Sequence, residues 1–175
     1  MASTADAGEA GLVRRAQSGS RDAAARLFAT HWPRAWRAAL AVTGRREMAD
    51  DVAQDAFERA FARLATFDAS RPFAPWLHRI VVNRALDVLR QERRLVLVGD
   101  PPEAAHAWAD DTEDPEALEA LAGLPAERRA VVVLRHLLDY TPPEIAEILD
   151  IPVGTVNSRL GRALAELRER LGEGG

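Results

Sequence analysis

Apolar residues recur at three- and four-residue steps through most of this chain, and that spacing is the feature that most restricts its fold. Within residues 47–65 and 75–93 the apolar positions fall on one face of a helix. The same step returns between Val131 and Leu138 and again between Val156 and Leu171. We therefore predict an all-α protein whose core forms where amphipathic helices pack together.

One segment interrupts this spacing for long enough to divide the chain. Residues 95–120 contain eight acidic residues and no basic one, and Gly99, Pro101 and Pro102 break any helix there. Because residues 95–113 have no sustained period, we predict that they form an acidic flexible linker. It would join two small helical domains, at residues 9–94 and 114–172.

Local signals divide the first domain into helices. Ser20 is a good N-cap for the helix that follows it. Pro33 falls where a helix can begin again, and Gly44 falls where a C-terminal glycine would end it.

The second domain carries a sharper set of signals. Thr141 and Glu144 have the spacing of a capping box, and Pro142 occupies the first helical position. The short helix that starts there is broken near Asp150, and a longer helix begins at about Val153. Two helices joined by so short a turn predict a helix-turn-helix unit.

Several classes of site are excluded or disfavoured. The chain has no cysteine, so disulfides and thiolate metal centres cannot form. The histidines lie far apart, fit no metal-ligand motif, and are expected at the surface or at helix ends. They are His31, His78, His106 and His136. With no convergent catalytic set and no apolar stretch of membrane length, we predict a cytoplasmic protein that is not an enzyme, has no cofactor or metal, and has no stable membrane insertion.

Two helix faces are candidates for binding nucleic acid. Residues 71–94 carry six arginines and two acidic residues, a net charge of +4. On the final helix, Thr155, Ser158, Arg159 and Arg162 lie opposite the apolar face, where a recognition helix presents donors to bases and phosphates. A solvated helix of an ordinary bundle has the same period, and the capped short helix before a tight turn favours DNA.

A third face is acidic. Glu47, Asp51, Gln54, Asp55 and Glu58 follow helical steps beside a broad apolar face. Solubility alone would explain this stripe. It would also suit a basic helical partner, for which acidic rims steer association more than they add affinity.

Longer motifs resemble a known family. The segment ADDVAQDAF, residues 49–57, closely resembles the A-D/E-D-x-x-Q-D/E-x-F signature of region two of bacterial sigma factors. The segment PFAPWLHRIVVNRALD, residues 72–87, resembles a second region-two pattern. Leu124-Pro125, Glu144-Ile145-Ala146 and PVGTVNSRL, residues 152–160, resemble region four. Their order and spacing identify the chain as a member of the extracytoplasmic-function (ECF) group of sigma-70 factors.

The resemblance implies an alternative sigma factor that binds core RNA polymerase and directs promoter-specific initiation. In that family, region two grips the clamp helices of the β′ subunit and region four docks on the β flap. The residues that this carries over to polymerase binding are Asp50, Asp51, Gln54, Asp55, Phe57 and Glu58.

The resemblance also implies contacts with promoter DNA. Region two would bind the single-stranded minus-ten element, with the loop at residues 67–73 receiving an extruded base. Its residues are Phe67, Asp68, Ser70, Arg71, Arg79, Asn83, Arg84, Asp87 and Arg90. Region four would read the minus-thirty-five element through Thr155, Asn157, Ser158, Arg159 and Arg162. Trp76 could stack on a base, although its place on an apolar stripe favours core packing.

Two departures and two alternatives accompany this interpretation. Asn157 and Leu164 replace residues that are often Lys and Arg in the family, which implies fewer phosphate contacts from that helix. Region four alone also resembles a LuxR-type module, so a stand-alone helix-turn-helix regulator is the alternative function. A structural helical adaptor would leave the combined motifs unexplained.

Besides polymerase and promoter DNA, the family implies an anti-sigma factor, and we expect the chain to be a monomer when free or in complex with its partner.

Overall fold

The structure is a computed structural model that describes residues 4–96 and 115–172. Within those two ranges the chain is helical and contains no strand, which confirms the predicted all-α fold. Residues 97–113, most of the predicted linker, lie outside the described residues, as does His106. None of the helices in the described ranges combines the length and the apolar character needed to cross a membrane.

Four helices form the first bundle. They are α1 (Thr4–Gln17), α2 (Arg21–Thr43), α3 (Arg46–Arg63) and α4 (Phe73–Val96), with a 3-10 turn at Leu64–Thr66. Helix α2 is the central element, because α1, α3 and α4 all pack against it. The largest side chains buried within this bundle are Val13, Leu27, Val42, Val52, Phe73, Leu77, Val81 and Val82.

The second bundle is built around its last helix. Its elements are α5 (Pro115–Ala122), α6 (Ala126–Val132) with a π turn at Val133–Leu137, α7 (Pro142–Leu149) and α8 (Val153–Gly172). Helix α8 packs against α5, α6 and α7. Glu144 accepts hydrogen bonds from the backbone N–H and the hydroxyl of Thr141, at 2.7 and 2.6 Å, so the capping box is confirmed. Helices α7 and α8 form the predicted helix-turn-helix.

The capping signals of the first bundle have mixed outcomes. Ser20 caps α2 by accepting from the N–H of Ala23, and Gly44 ends it at φ 75° with its N–H bonded to the Leu40 carbonyl. The helix start predicted at Pro33 is wrong, because α2 runs through that residue without interruption. Proline inside a helix loses one hydrogen bond and costs about 3 kcal/mol. Burial on both sides of Pro33 outweighs that loss. The residues buried there include Leu27, His31, Ala35 and Ala38.

Two histidines are buried, so their predicted surface location is wrong. His31 is 9% exposed and His78 is 2% exposed. The Nε2 atom of His31 lies 2.7 Å from the Glu9 carboxylate, and Nδ1 of His78 lies 2.7 Å from the Tyr140 hydroxyl. Both partners, Glu9 and Tyr140, are distant in sequence from the histidines they contact, so these contacts could not be predicted from local spacing. His136 is not among the buried residues.

The two bundles contact each other through α2 and α4. Besides the pair of His78 and Tyr140, Arg129 of α6 donates to the Val42 carbonyl at the end of α2, at 2.7 Å. Arg34 of α2 forms an ion pair of 2.9 Å with Asp139. The described conformation is therefore one in which the helix-turn-helix bundle is docked on the first bundle.

Candidate functional site

The acidic face lies on the outer side of α3. Asp51, Gln54 and Glu58 are exposed there at successive helical steps, and Gln54 donates to Glu58 at 3.2 Å. Asp50 is exposed beside them, but its carboxylate accepts a 2.6 Å hydrogen bond from the indole N–H of Trp36. The surface that a basic partner could meet is therefore formed mainly by Asp51, Gln54 and Glu58.

Phe57, which the family resemblance assigns to polymerase binding, points into the bundle. Only 2% of it is exposed, and its ring centroid lies 4.8 Å from that of Phe28 and 5.8 Å from that of Trp32. This side chain offers no surface to a partner in the described conformation. It stabilises α3 from beneath.

Asp55, also predicted for this face, joins α3 to α4 instead. Its carboxylate is 2.9 Å from Arg59 Nε and also accepts from Arg84, which was predicted to contact DNA. Burial alone would raise the pKa of Asp55, but the hydrogen bonds from Arg59 and Arg84 outweigh it and hold the pKa below its ordinary value. Asp55 thus orients two arginines on the α3–α4 side of the bundle.

The loop between the 3-10 turn and α4 has an organised turn of its own. Asp68 accepts hydrogen bonds from the N–H and the hydroxyl of Ser70, at 2.9 and 2.6 Å. The Arg71 N–H donates to the Asp68 carbonyl at 3.0 Å. The bonds from the Ser70 hydroxyl and N–H lower the pKa of Asp68. Asp68 and Ser70 therefore shape the loop, while Phe67 and Arg71 remain on its flanks.

This loop and α4 border two adjoining cavities that share Trp76 and Arg79, with volumes of about 480 and 320 Å³. The predicted residues that line the larger cavity are Phe67, Asp68, Arg71 and Arg79. Those that line the smaller cavity are Arg79, Asn83, Arg84 and Asp87. Ser70 and Arg90 line neither, and Arg90 forms a 3.1 Å ion pair with Asp87.

Trp76 belongs both to the packing and to the cavity wall. It is half-buried, and its ring centroid lies 4.6 Å from that of Phe67 and 5.6 Å from that of Phe73. Flat apolar walls beside arginines suit a nucleotide, whose base stacks and whose phosphate carries negative charge.

Sequence patterns missed part of this cavity lining. Arg59 and Arg63, on the last turns of α3, add two guanidinium groups to the smaller cavity. Their four-residue spacing placed them on one helix face, but nothing local showed that this face meets α4. Tyr140, Glu144 and Glu147 of the second bundle line the larger cavity. Only the docking of the bundles brings them there.

The predicted recognition face lies on the first three turns of α8. Val156, Leu160 and Ala163 are buried beneath it. The opposite, more open side carries all five predicted residues, namely Thr155, Asn157, Ser158, Arg159 and Arg162. Within the described residues, neither Arg159 nor Arg162 has a hydrogen-bond or ion-pair partner, so both guanidinium groups are available to an external ligand.

His78 makes the contact between the bundles sensitive to pH. Burial, followed by electrostatic effects of His31 and Arg34, lowers the pKa of His78 from 6.5 to about 4. In the unfolded chain the pKa has its ordinary value, so that state binds the extra proton between these two values. The stabilisation is therefore complete above pH 6.5 and is lost as the pH falls toward 4.

We expect the natural chain to lose stability as the pH falls, and we expect the substitution His78→Gln to remove this pH dependence. Between about pH 7 and pH 5, protonation of His78 should lower the free energy of unfolding of the natural chain by about 2 kcal/mol, at about 1.4 kcal/mol per pKa unit. Urea unfolding at both pH values measures it. Glutamine can still bond Tyr140 and does not titrate, so equal pH dependence in the two proteins would contradict the prediction.

Comparison with known proteins places both bundles in known families. Residues 27–95 match the Sigma-70 region 2 family, and residues 116–167 match the Sigma-70 region 4 family. A solved complex of CnrH with the cytosolic domain of CnrY contains a chain of the same fold, with a TM-score of 0.72 and 31% identity, over 95% of this chain and 99% of that one. The region two match disfavours the alternative of a stand-alone helix-turn-helix regulator.

Full-length relatives agree with this assignment. The chain is 36% identical to the ECF RNA polymerase sigma factor SigM of Mycobacterium tuberculosis, over 94% of this chain and 85% of that protein. It is 29% identical to the ECF sigma factor SigW of Bacillus subtilis, over 91% and 94%. The RNA polymerase sigma factor CnrH of Cupriavidus metallidurans is 34% identical, over 89% and 90%. The chain therefore belongs to the ECF RNA polymerase sigma factors, and it is an alternative sigma factor that directs transcription initiation.

Proposed function

We propose that this sigma factor binds core polymerase and promoter DNA through three separate surfaces. Asp51, Gln54 and Glu58 on α3 dock on a basic helical surface of core RNA polymerase, the β′ clamp helices. The two cavities beside α4 receive the non-template strand of the minus-ten element. The outer face of α8 reads the minus-thirty-five element in duplex form, and the same bundle docks on the β flap.

The concentration of guanidinium groups beside α4 is the observation that carries this proposal. Arginines line the two cavities from three directions, and Trp76 and Phe67 supply apolar walls. These arginines are Arg59, Arg63, Arg71, Arg79 and Arg84. A single strand binds where positive charge follows its backbone and aromatic faces accept its bases. The chain as a whole has a net charge of −4, so a cluster of arginines is a local exception to its overall acidity. Such a cluster can attract a phosphate backbone even though the whole protein is negatively charged.

We also propose the domain division at residues 9–94 and 114–172, with 95–113 as the linker, and a site of action in the cytoplasm.

The Asn83 amide donates to the Ile148 carbonyl of the second bundle at 3.3 Å in the docked conformation. If Asn83 contacts the strand, that bond must break and α7 must move away. Binding to a promoter would therefore include separation of the two bundles.

An anti-sigma protein is a further proposed partner. CnrH, whose structure resembles this chain, was solved in complex with the cytosolic domain of CnrY. A similar partner that holds the bundles would keep both DNA-binding surfaces from a promoter.

Replacing Arg159 with alanine tests the role of α8. We expect initiation at promoters that need the upstream element to fall by about tenfold, since one bidentate base contact contributes about 1–3 kcal/mol. Affinity for core polymerase should not change. Run-off transcription and a core-binding titration measure the two effects. Arg168→Ala, a charge-matched change farther along α8, is the control. Loss of core binding by Arg159→Ala, or equal losses of transcription in both variants, would contradict the assignment.

A further inference from the structure

The polar side chains of α1 hold both ends of the loop that borders the larger cavity. At the C-terminal end of α1, Gln17 Nε2 donates to the carbonyls of Leu64 and Phe67, at 2.9 and 2.7 Å. About two turns earlier in α1, Glu9 accepts from the N–H of Phe73, the first residue of α4, at 3.3 Å. The loop at residues 67–72 is thus fastened to α1 where it begins and where it ends.

These fastenings restrict the shape of the loop. Glu9 and Gln17 are eight residues apart on one helix, which is about 12 Å along its axis. The six steps from Phe67 to Phe73 could extend to about 20 Å. The anchoring residues are thus closer together on α1 than the extended length of the loop, which leaves room for the Asp68–Ser70 turn within it.

The positions of both residues on α1 are well defined. Val13 lies between them on the same side of α1 and is 1% exposed, so this side of the helix is held in the core. Glu9 is further fixed by His31, whose Nε2 lies 2.7 Å from the carboxylate. Gln17 is half-buried, and both bonds of its amide run to groups about 50 residues away in sequence, beyond any local turn.

We propose that Gln17 is a positioning residue for base recognition: by binding the Leu64 and Phe67 carbonyls it fixes the backbone of Phe67, and with it the position of the Phe67 ring that packs on Trp76 in the cavity wall. Gln17 itself touches no DNA. The inference rests on the proposed function of this cavity as the site for an extruded base of the non-template strand.

The position of Phe67 matters because its ring and that of Trp76 together form one wall of the cavity. Phe67 packs on Trp76 with ring centroids 4.6 Å apart, and the backbone of Phe67 carries one of the two carbonyls that Gln17 binds. A freed backbone would let Phe67 shift, and one pocket could then accept bases of different size. The expected defect is therefore a loss of discrimination between bases rather than a general loss of binding.

The test uses the full chain assembled with core polymerase and a randomised pool of single-stranded DNA. Selection with the natural holoenzyme gives the preferred strand, and titration with single-base variants of that strand gives the preference at each position. Gln17→Glu keeps the shape of the side chain but removes the donor. Gln91→Glu on the exposed side of α4 makes the same change of charge away from the cavity.

We expect Gln17→Glu to reduce the preference at one base position by about fivefold to tenfold, the effect of a hydrogen bond of about 1 kcal/mol or slightly more. Core affinity should stay unchanged, and Gln91→Glu should keep the natural preference. Gln17→Lys, which retains a donor, should recover part of the preference.

Three results would overturn the inference. They are an unchanged preference in Gln17→Glu, equal losses in both glutamate variants, and a Gln17→Lys variant that binds core normally and recovers none of the preference. If the natural holoenzyme selects no strand, the proposed function itself is wrong.

Discussion

Replacing Arg129 with methionine is expected to lower the free energy of unfolding by about 3–5 kcal/mol, because several buried carbonyls would lose their donor. Arg129 is 8% exposed and donates to the carbonyls of Val42, Ala122 and Leu124, at 2.7, 2.6 and 2.9 Å. Val42 and Ala122 lie in the last turns of α2 and α5, where carbonyls have no partner within the helix. One guanidinium therefore satisfies the ends of two helices from different bundles.

The charge of Arg129 contributes to this role. Burial, followed by the nearby charge of Arg93, lowers the pKa of Arg129 to about 10, so the group remains charged at neutral pH. A positive charge at two helix C-termini is favourable because the backbone dipoles point their negative ends there.

Urea unfolding of Arg129→Met and Arg128→Met measures the effect of Arg129 against a neighbouring arginine. Arg128 makes a 2.6 Å ion pair with Glu166 and its side chain is 33% exposed. Its loss should therefore lower the free energy of unfolding by at most about 1 kcal/mol. If Arg129→Met proves no less stable than Arg128→Met, then Arg129 does not join the bundles as described.

Locking the two bundles together is expected to reduce promoter-specific transcription at least about tenfold. The two promoter elements are named for positions roughly 25 base pairs apart, which is about 85 Å at about 3.4 Å per base pair. A compact body of this chain length has a diameter of only about 40 Å. The docked conformation cannot reach both elements, and it also keeps Asn83 bonded to Ile148.

The absence of cysteine makes this lock straightforward to build. Arg34→Cys and Asp139→Cys replace an exposed ion pair between the bundles, and a short cleavable reagent joins the two thiols. Run-off transcription before and after cleavage measures the effect. A cross-link between Arg128→Cys and Glu166→Cys, inside the second bundle, is the control and should have little effect. Full activity of the molecule locked at residues 34 and 139 would contradict the need for separation.

Local chemistry explains which parts of the fold could be predicted from sequence. The Thr141 and Glu144 capping box, the Ser20 cap and the Gly44 terminus each depend on neighbours within four residues, and all three are present. The helix start predicted at Pro33 was wrong because the local preference of proline for a helix start was outweighed by burial along the whole of α2. Propensity decides only where tertiary packing does not.

The candidate site was less accessible to prediction for a related reason. A signature motif groups residues by position, whereas their roles depend on which face they occupy. Phe57 lies within the motif but is buried, and Asp55 is held by Arg84 from another helix. Gln17 and Arg129 contact residues that are far away in sequence, so the spacing of residues within a helix could not predict these contacts.

Run-off transcription with purified core polymerase determines whether this chain gives core polymerase its promoter specificity. Genomic promoter fragments are transcribed by core alone, by core with the natural chain, and by core with a chain carrying Asp51→Arg and Glu58→Arg. We predict discrete promoter-specific starts only with the natural chain, together with its co-purification with core and a loss of both in the reversed-charge variant. Absence of specific starts and of co-purification with the natural chain would contradict its function as a promoter-specificity factor for core polymerase.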